Sequence, residues 1–400
     1  MAACLSLAMV SCSGNDTYYG PVAAPYYTTS VTTADLNGDG KVDIVDTTFD
    51  ATGYASGFLS VRLQNASSPG TYQAPLRSSA GPNPGFLVAS PLTPGGYPGV
   101  VTVNSLTGPG SPGILGVSAL YPDSTHDGLF LAPLFLSTQG RNPTGVAVAD
   151  LNGDTWPDIV VAADGASSLL LYTQSTTGQA FAAPVELAVN GTPTAVAVAD
   201  VDGDGLPDIV ATTTANVVSV LIQDKSNPGT FLPHVDYPVG SNPVALAIAD
   251  LNGDGRPDLV VANYGTASTP TTKGLSILLN QSSAPGTFAA ATTVDLGDDY
   301  AAAVAVGDLN GDGKPDIAVA CSGLAGSPGS VAVVLQDAAN PGTFLAPVLY
   351  PGVQGPTSVA IADINGDGLL DLVLGDGGLF VRFQVSTAKG TFGVPQPFYQ

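Results

Sequence analysis

One nine-residue pattern, Asp-x-Asn/Asp-Gly-Asp-x-x-x-Asp, recurs six times and restricts the chain to a repeat architecture. It runs Asp35–Asp43, Asp150–Asp158, Asp200–Asp208, Asp250–Asp258, Asp308–Asp316 and Asp363–Asp371. The gap between the first two copies is about twice the usual step, and a degraded seventh copy fills it. The stretch beginning Asn83-Pro84 aligns without gaps to the stretch beginning Asn242-Pro243. It carries Pro91, Thr93, Gly95 and Gly99 where the other copies carry acidic or amide side chains. An aromatic residue follows each loop at a similar distance: Tyr72, Phe130, Phe181, Phe231, Phe288, Phe344 and Phe392. A repeat of this length marks stacked units, each too small to bury its apolar face alone.

Each unit carries the same segments. An Ala/Val-rich run such as Gly145–Ala149 precedes the loop, and an apolar run such as Ile159–Ala162 follows it. Then come a run such as Val217–Ile222 and a segment opening on the aromatic marker, such as Phe231–Tyr237. Short β-branched runs between Gly and Pro turns read as strands, and no segment has helical periodicity. Four strands per unit is the pattern of a propeller blade. The expected fold is therefore all-β: a seven-bladed β-propeller with four-stranded blades over residues 17–400. The first strand favours Ala and Val because it faces the crowded axis. The second is apolar on both faces because blades stack face to face. Both Tyr18–Tyr27 and Thr391–Tyr399 fit the strand that would close the ring.

The charge pattern sharpens the reading of the loops. There are 33 acidic residues against 10 basic ones, for a net charge of -23, and Glu186 is the only glutamate. Such exclusive use of the shorter carboxylate points to tight loops that chelate a cation or form Asx-turns. Nucleic acid is excluded as a partner, since phosphate binding needs clustered Lys and Arg. Three cysteines offer no disulfide framework, and Cys321 lies in an apolar run that suits a small buried residue. Residues 1–16 hold a short apolar run ending in small residues and Cys12. This resembles the end of a bacterial lipoprotein signal, with Cys12 as the lipidated residue. It predicts export to the periplasm, the cell surface or the medium. No segment reaches the ~18 uninterrupted apolar residues of a membrane-spanning helix.

Calcium takes six to eight oxygen ligands, and the loop supplies them at alternate positions. Position 1 is Asp35, Asp150, Asp200, Asp250, Asp308 and Asp363; position 3 is Asn37, Asn152, Asp202, Asn252, Asn310 and Asn365. Position 5 is Asp39, Asp154, Asp204, Asp254, Asp312 and Asp367; position 9 is Asp43, Asp158, Asp208, Asp258, Asp316 and Asp371. Position 7 varies freely (Lys41, Trp156, Leu206, Arg256, Lys314, Leu369), as it can if only its carbonyl is used. Gly at positions 4 and 6 lets the chain wrap, except where Thr155 replaces it. An EF-hand would carry Glu at position 12, and none does. The loops with their flanking strands resemble the FG-GAP/VCBS repeat family and the integrin α-subunit head. The resemblance implies about six calcium ions, each held between the first two strands of a blade. It also implies a ligand face at the opposite end.

No catalytic set emerges. His126 and His234 are the only histidines, and no zinc or phosphate-binding spacing occurs. A non-enzymatic role is expected. The turns opposite the loops offer Tyr54, Tyr264, Lys273, Asp298, Asp299 and Tyr300 as candidate ligand contacts. These suit a protein ligand, with a carbohydrate ligand as the alternative.

Overall fold

The computed structural model describes residues 26–50, 57–65, 67–105, 115–176, 179–266, 273–297, 299–323 and 328–398. The expected signal with Cys12, and the candidates Tyr54 and Asp298, lie outside the described residues. Strands form seven four-stranded antiparallel sheets, each built from four consecutive strands. The blades span residues 26–81, 84–137, 143–188, 193–238, 243–294, 300–353 and 358–397. First strands of successive blades lie side by side, and that of blade 7 lies against that of blade 1, so the ring is closed.

Seven apolar clusters hold the ring, one at each seam between neighbouring blades. The second strands explain how. Along Ile159–Ala162 every side chain is fully buried. Alternate residues belong to different clusters: Ile159 and Val161 pack toward blade 2, Val160 and Ala162 toward blade 4. First strands approach closely at the axis, where an added Cβ at Gly145 would stand 3.3 Å from Ala195 Cα of the next blade. Cys321 is buried in the seam between blades 5 and 6, and burial pushes its thiol up to about 12.

The structure differs from the sequence reading at the fourth strand, and it selects between the two candidates for the closing strand. The aromatic marker does not begin the fourth strand. Phe231 instead forms an isolated bridge with Gln223, and the strand starts at Val235. The closing strand is C-terminal: Gln396–Pro397 is the outermost strand of blade 7. Tyr26 and Tyr27 belong to the innermost strand of blade 1. Among the described residues no strand is exchanged at the junction of blades 7 and 1. Packing joins them, together with bonds such as Thr357 Oγ1 to Thr29 O at 3.0 Å.

Candidate metal loops and the opposite face

The six acidic loops adopt one geometry, and blade 5 illustrates it. The Asp250 carboxylate accepts the N–H groups of Gly253, Asp254 and Gly255 at 2.8, 3.1 and 2.8 Å. Asn252 Oδ1 accepts from Asp254 N at 2.9 Å, and Asp254 Oδ1 accepts from Arg256 N at 3.0 Å. These are Asx-type bonds, and they hold positions 1 to 7 in one short wrap. Left-handed residues make the wrap possible, with φ of 76° at Gly253 and 85° at Gly255. In blade 3, Thr155 holds φ of 73°. It keeps its bond to Asp150 Oδ2 at 2.8 Å, at the steric cost a β-branched residue incurs there. Thr155→Gly is therefore expected to stabilise the protein by about 1 kcal/mol, read as a higher urea midpoint at unchanged slope.

Position 9 differs in kind. Asp43, Asp158, Asp208, Asp258, Asp316 and Asp371 are all buried. One oxygen of each accepts the N–H of the position-2 residue, as from Leu251 to Asp258 Oδ2 at 2.9 Å. The other accepts an N–H from just beyond the third strand, as from Asn280 to Asp258 Oδ1 at 2.7 Å. None of the six makes a salt bridge with Lys, Arg or His among the described residues. Burial raises each of these carboxyls to about 6, against the lowering effect of the two N–H bonds. A buried carboxylate without a counter-charge is costly. By contrast, the buried Asp46 of blade 1 is paired with Arg62.

The donor set is all oxygen, which suits a hard cation. In blade 4, carboxylate oxygens of Asp200, Asp202 and Asp208 all lie within 4.8 Å of one another. One ion with metal–oxygen distances near ~2.4 Å could touch all three. Basic residues stand beside several loops: Lys225 Nζ lies 3.6 Å from Asp204 Oδ2, and Arg256 lies 3.6 Å from Asp254 Oδ2. Trp156 is half-buried, and its backbone N–H donates to Asp154 Oδ1 at 2.8 Å.

Blade 2 keeps the fold but lacks both the position-9 carboxylate and one of its N–H donors. A Cβ at Gly99 would stand 2.6 Å from Leu92 Cδ1 and 2.7 Å from Leu120 O, so no side chain fits there. The residue paired with its aromatic marker is Pro122, where the other blades carry Gln or Asn. Proline has no N–H to give a carboxylate. Gly99→Asp is expected to leave the calcium count unchanged and to destabilise by about 1–3 kcal/mol through overpacking, measured by denaturant unfolding beside a calcium-stoichiometry assay.

Residues at these third-strand ends were missed in reading the sequence. Gln64, Gln174, Gln223, Asn280, Gln336 and Gln384 recur at equivalent positions and are buried. That recurrence was the available signal. Adjacent blades also touch at the loops. Glycines of the Pro-Gly-Thr turns sit on position 3 of the preceding blade; an added Cβ at Gly286 would lie 2.9 Å from Asp202 Cβ.

At the opposite end, four of the six candidate contacts converge across blades 5 and 6. Tyr264 and Tyr300 stack at 5.0 Å between ring centroids, 26° apart. Lys273 Nζ stands 5.4 Å from the Tyr300 centroid. Ser322 Oγ donates to Tyr264 Oη at 3.2 Å, and Ser330 Oγ donates to Asp299 Oδ2. Next to them, Thr214, Asn216, Ser241, Asn242 and Thr266 line an open depression of about 330 Å³ between blades 4 and 5. His126 and His234 lie apart from this face; each is bonded to a nearby aspartate, Asp123 and Asp236.

A seven-bladed propeller with a repeated acidic loop between its first two strands is thus the class that fold and loops define. The chain belongs to the FG-GAP-like repeat family, whose profile matches residues 150–211, 200–261, 253–319 and 322–374, more than half of its length. Among curated sequences no significant match was found. Solved structures share the fold at low identity. A candidate 6-phosphogluconolactonase from Bacteroides fragilis is 17% identical, with a TM-score of 0.60, over 87% of this chain and 92% of that one. BBS1N, solved in complex with ARL6DN, is 14% identical with a TM-score of 0.54, over 94% and 98%. A rhamnogalacturonan lyase from Bacillus licheniformis is 14% identical with a TM-score of 0.50, over 87% and 70%.

Proposed function

We propose that this chain is an exported propeller, stabilised by about six calcium ions, that acts as a protein-interaction or adhesion module at the cell surface. The observation that carries the reading is the buried position-9 aspartate, repeated in six loops with no basic partner among the described residues. Calcium would supply the missing positive charge. The side chains at positions 1, 3, 5 and 9 and the carbonyl at position 7 would hold it. Six divalent ions would cancel about half of the net charge of -23. Recognition falls to the opposite face, where Tyr264, Lys273, Asp299 and Tyr300 offer aromatic surface and both charges. The candidate contacts Tyr54 and Asp298, and lipidation at Cys12, rest on the sequence alone.

A second reading is a carbohydrate ligand. The depression between blades 4 and 5 favours it, because its lining is wholly hydroxyl and amide in a strongly acidic chain. Equilibrium dialysis with metal analysis tests the first half of the proposal: about six calcium ions per chain are expected, and one or none would refute it. A glycan array in calcium and again in EGTA decides the ligand class. Calcium-dependent capture of a defined sugar would overturn protein binding in favour of the second reading. A negative array from folded, calcium-loaded protein would sink the second reading.

A further inference from the structure

We infer that the six loops do not fill independently: buried hydrogen-bond relays couple the loops of blades 4, 5 and 6, and separately those of blades 7 and 1. The inference rests on the calcium reading above and concerns how that ion is taken up.

The relay begins at Asp316 in blade 6. Its Oδ1 accepts the Gln336 N–H at 2.7 Å, and the Gln336 side-chain amide crosses the seam to donate to Leu251 O of blade 5 at 2.6 Å. Leu251 N donates in turn to Asp258 Oδ2 at 2.9 Å. Asp258 Oδ1 accepts the Asn280 N–H at 2.7 Å, and the Asn280 amide crosses to Val201 O of blade 4 at 2.7 Å. Val201 N then donates to Asp208 Oδ2 at 2.9 Å. Three loop carboxylates are thus joined by two amides and two backbone residues. Every side chain in the relay is at most 4% exposed. The same relay joins Asp43, Gln64, Ile364 and Asp371 across the junction of blades 1 and 7, at 2.9, 3.2 and 3.1 Å.

At the other seams the relay is interrupted. The Gln223 and Gln384 amides donate within their own blades, to Pro207 O and Leu370 O. Gln174 reaches Leu92 O of blade 2, but that loop has Gly99 in place of the carboxylate. Pro122 offers neither amide nor N–H at the seam with blade 1. Blade 3 therefore stands alone.

The coupling follows from the chemistry of the chain. A cation on one loop fixes its position-9 carboxylate and hence the position-2 residue bonded to it. The carbonyl of that residue seats the side-chain amide of the neighbour's Gln or Asn, and the backbone N–H of the same Gln or Asn orients the neighbour's carboxylate. In a dry seam such bonds polarise one another, so filling one loop prepares the next, a positive coupling between sites.

Blade 3 suggests the assay. Trp156 occupies position 7 of that loop and is the only tryptophan, so terbium luminescence excited through it reports one loop. Trp156→Leu combined with Arg256→Trp moves the reporter to blade 5. Asp312→Asn, which weakens the blade 6 loop, is expected to lower terbium affinity at the blade 5 reporter about fivefold. The same change should leave the native blade 3 reporter unmoved. Gln336→Met keeps both carboxylates and the backbone N–H, and should abolish the effect of Asp312→Asn. Asp254→Asn with and without Asn280→Met, read from Leu206→Trp in a Trp156→Leu background, repeats the test at the next seam and serves if the first variant folds poorly. A blade 5 affinity indifferent to Asp312→Asn overturns the relay. So does an effect of equal size with and without Gln336. Failure of calcium to displace terbium from any reporter overturns the calcium reading itself, a result distinct from independent binding.

Discussion

Adding excess EDTA is expected to lower the thermal midpoint by at least about 15 °C, or to unfold the ring outright. A site with Kd of about 10 µM in about 1 mM calcium contributes ~2.7 kcal/mol. Six such sites would together match the whole stability of an ordinary domain, about 5–15 kcal/mol. The conversion to temperature uses roughly 1–2 °C per kcal/mol for a chain of this size, extrapolated from smaller domains. Loss is not confined to the loops, because each Pro-Gly-Thr turn rests on the loop before it. A midpoint unmoved by chelator, in calorimetry or circular dichroism, would remove calcium from the account of stability. A pH series in chelator adds a signed test. The position-9 carboxyls sit at about 6 when folded, above the usual 3.8. The folded chain then holds protons that the unfolded chain releases. Metal-free stability is therefore highest below pH 4 and falls as pH rises through 6. Calcium should reverse that slope, since protons then compete with the ion.

The second large effect is at a single carboxylate. In chelator, Asp258→Ala is expected to cost about 3–5 kcal/mol, because two buried N–H groups, on Leu251 and Asn280, lose their acceptor. Asp254→Ala should cost under about 1 kcal/mol in chelator, since Asp254 accepts from the exposed turn at Arg256. With calcium present, both variants should lose one ion from the count. Urea unfolding in EDTA separates the two substitutions. Equal stabilities there would show that Asp258 serves the ion alone and not the fold.

What the sequence revealed, and what it hid, divides along local and non-local lines. The wrap of each loop is set by residues within nine positions, so the Asp and Gly spacing was enough to foresee it. The blade count followed from Asn83–Val101, whose register survives although Pro91, Thr93, Gly95 and Gly99 retain no metal chemistry. The start of the fourth strand was misplaced because Phe231 pairs with Gln223 before the strand pairing begins at Val235. Ring closure could not be read, since both ends carry the same strand pattern and only packing selects between them. The stack of Tyr264 on Tyr300 joins two blades; each residue was visible as a candidate, but not their contact. Gly99 was legible as a lost acidic position, whereas the loss of the matching N–H at Pro122 came to light only from its pairing with Phe130.

Because each sheet is drawn from one unbroken stretch of chain, repeat and blade share the same phase. A duplication or deletion of one whole repeat would then add or remove one complete sheet without leaving a hydrogen-bonding edge bare. Such a chain can change size in evolution by recombination at its inter-blade turns, and a gene cut at any of these turns and rejoined end to end should still encode a ring. Blade 2 shows how little of the loop a sheet needs: it keeps its four strands with Pro91, Thr93, Gly95 and Gly99 in place of the acidic set.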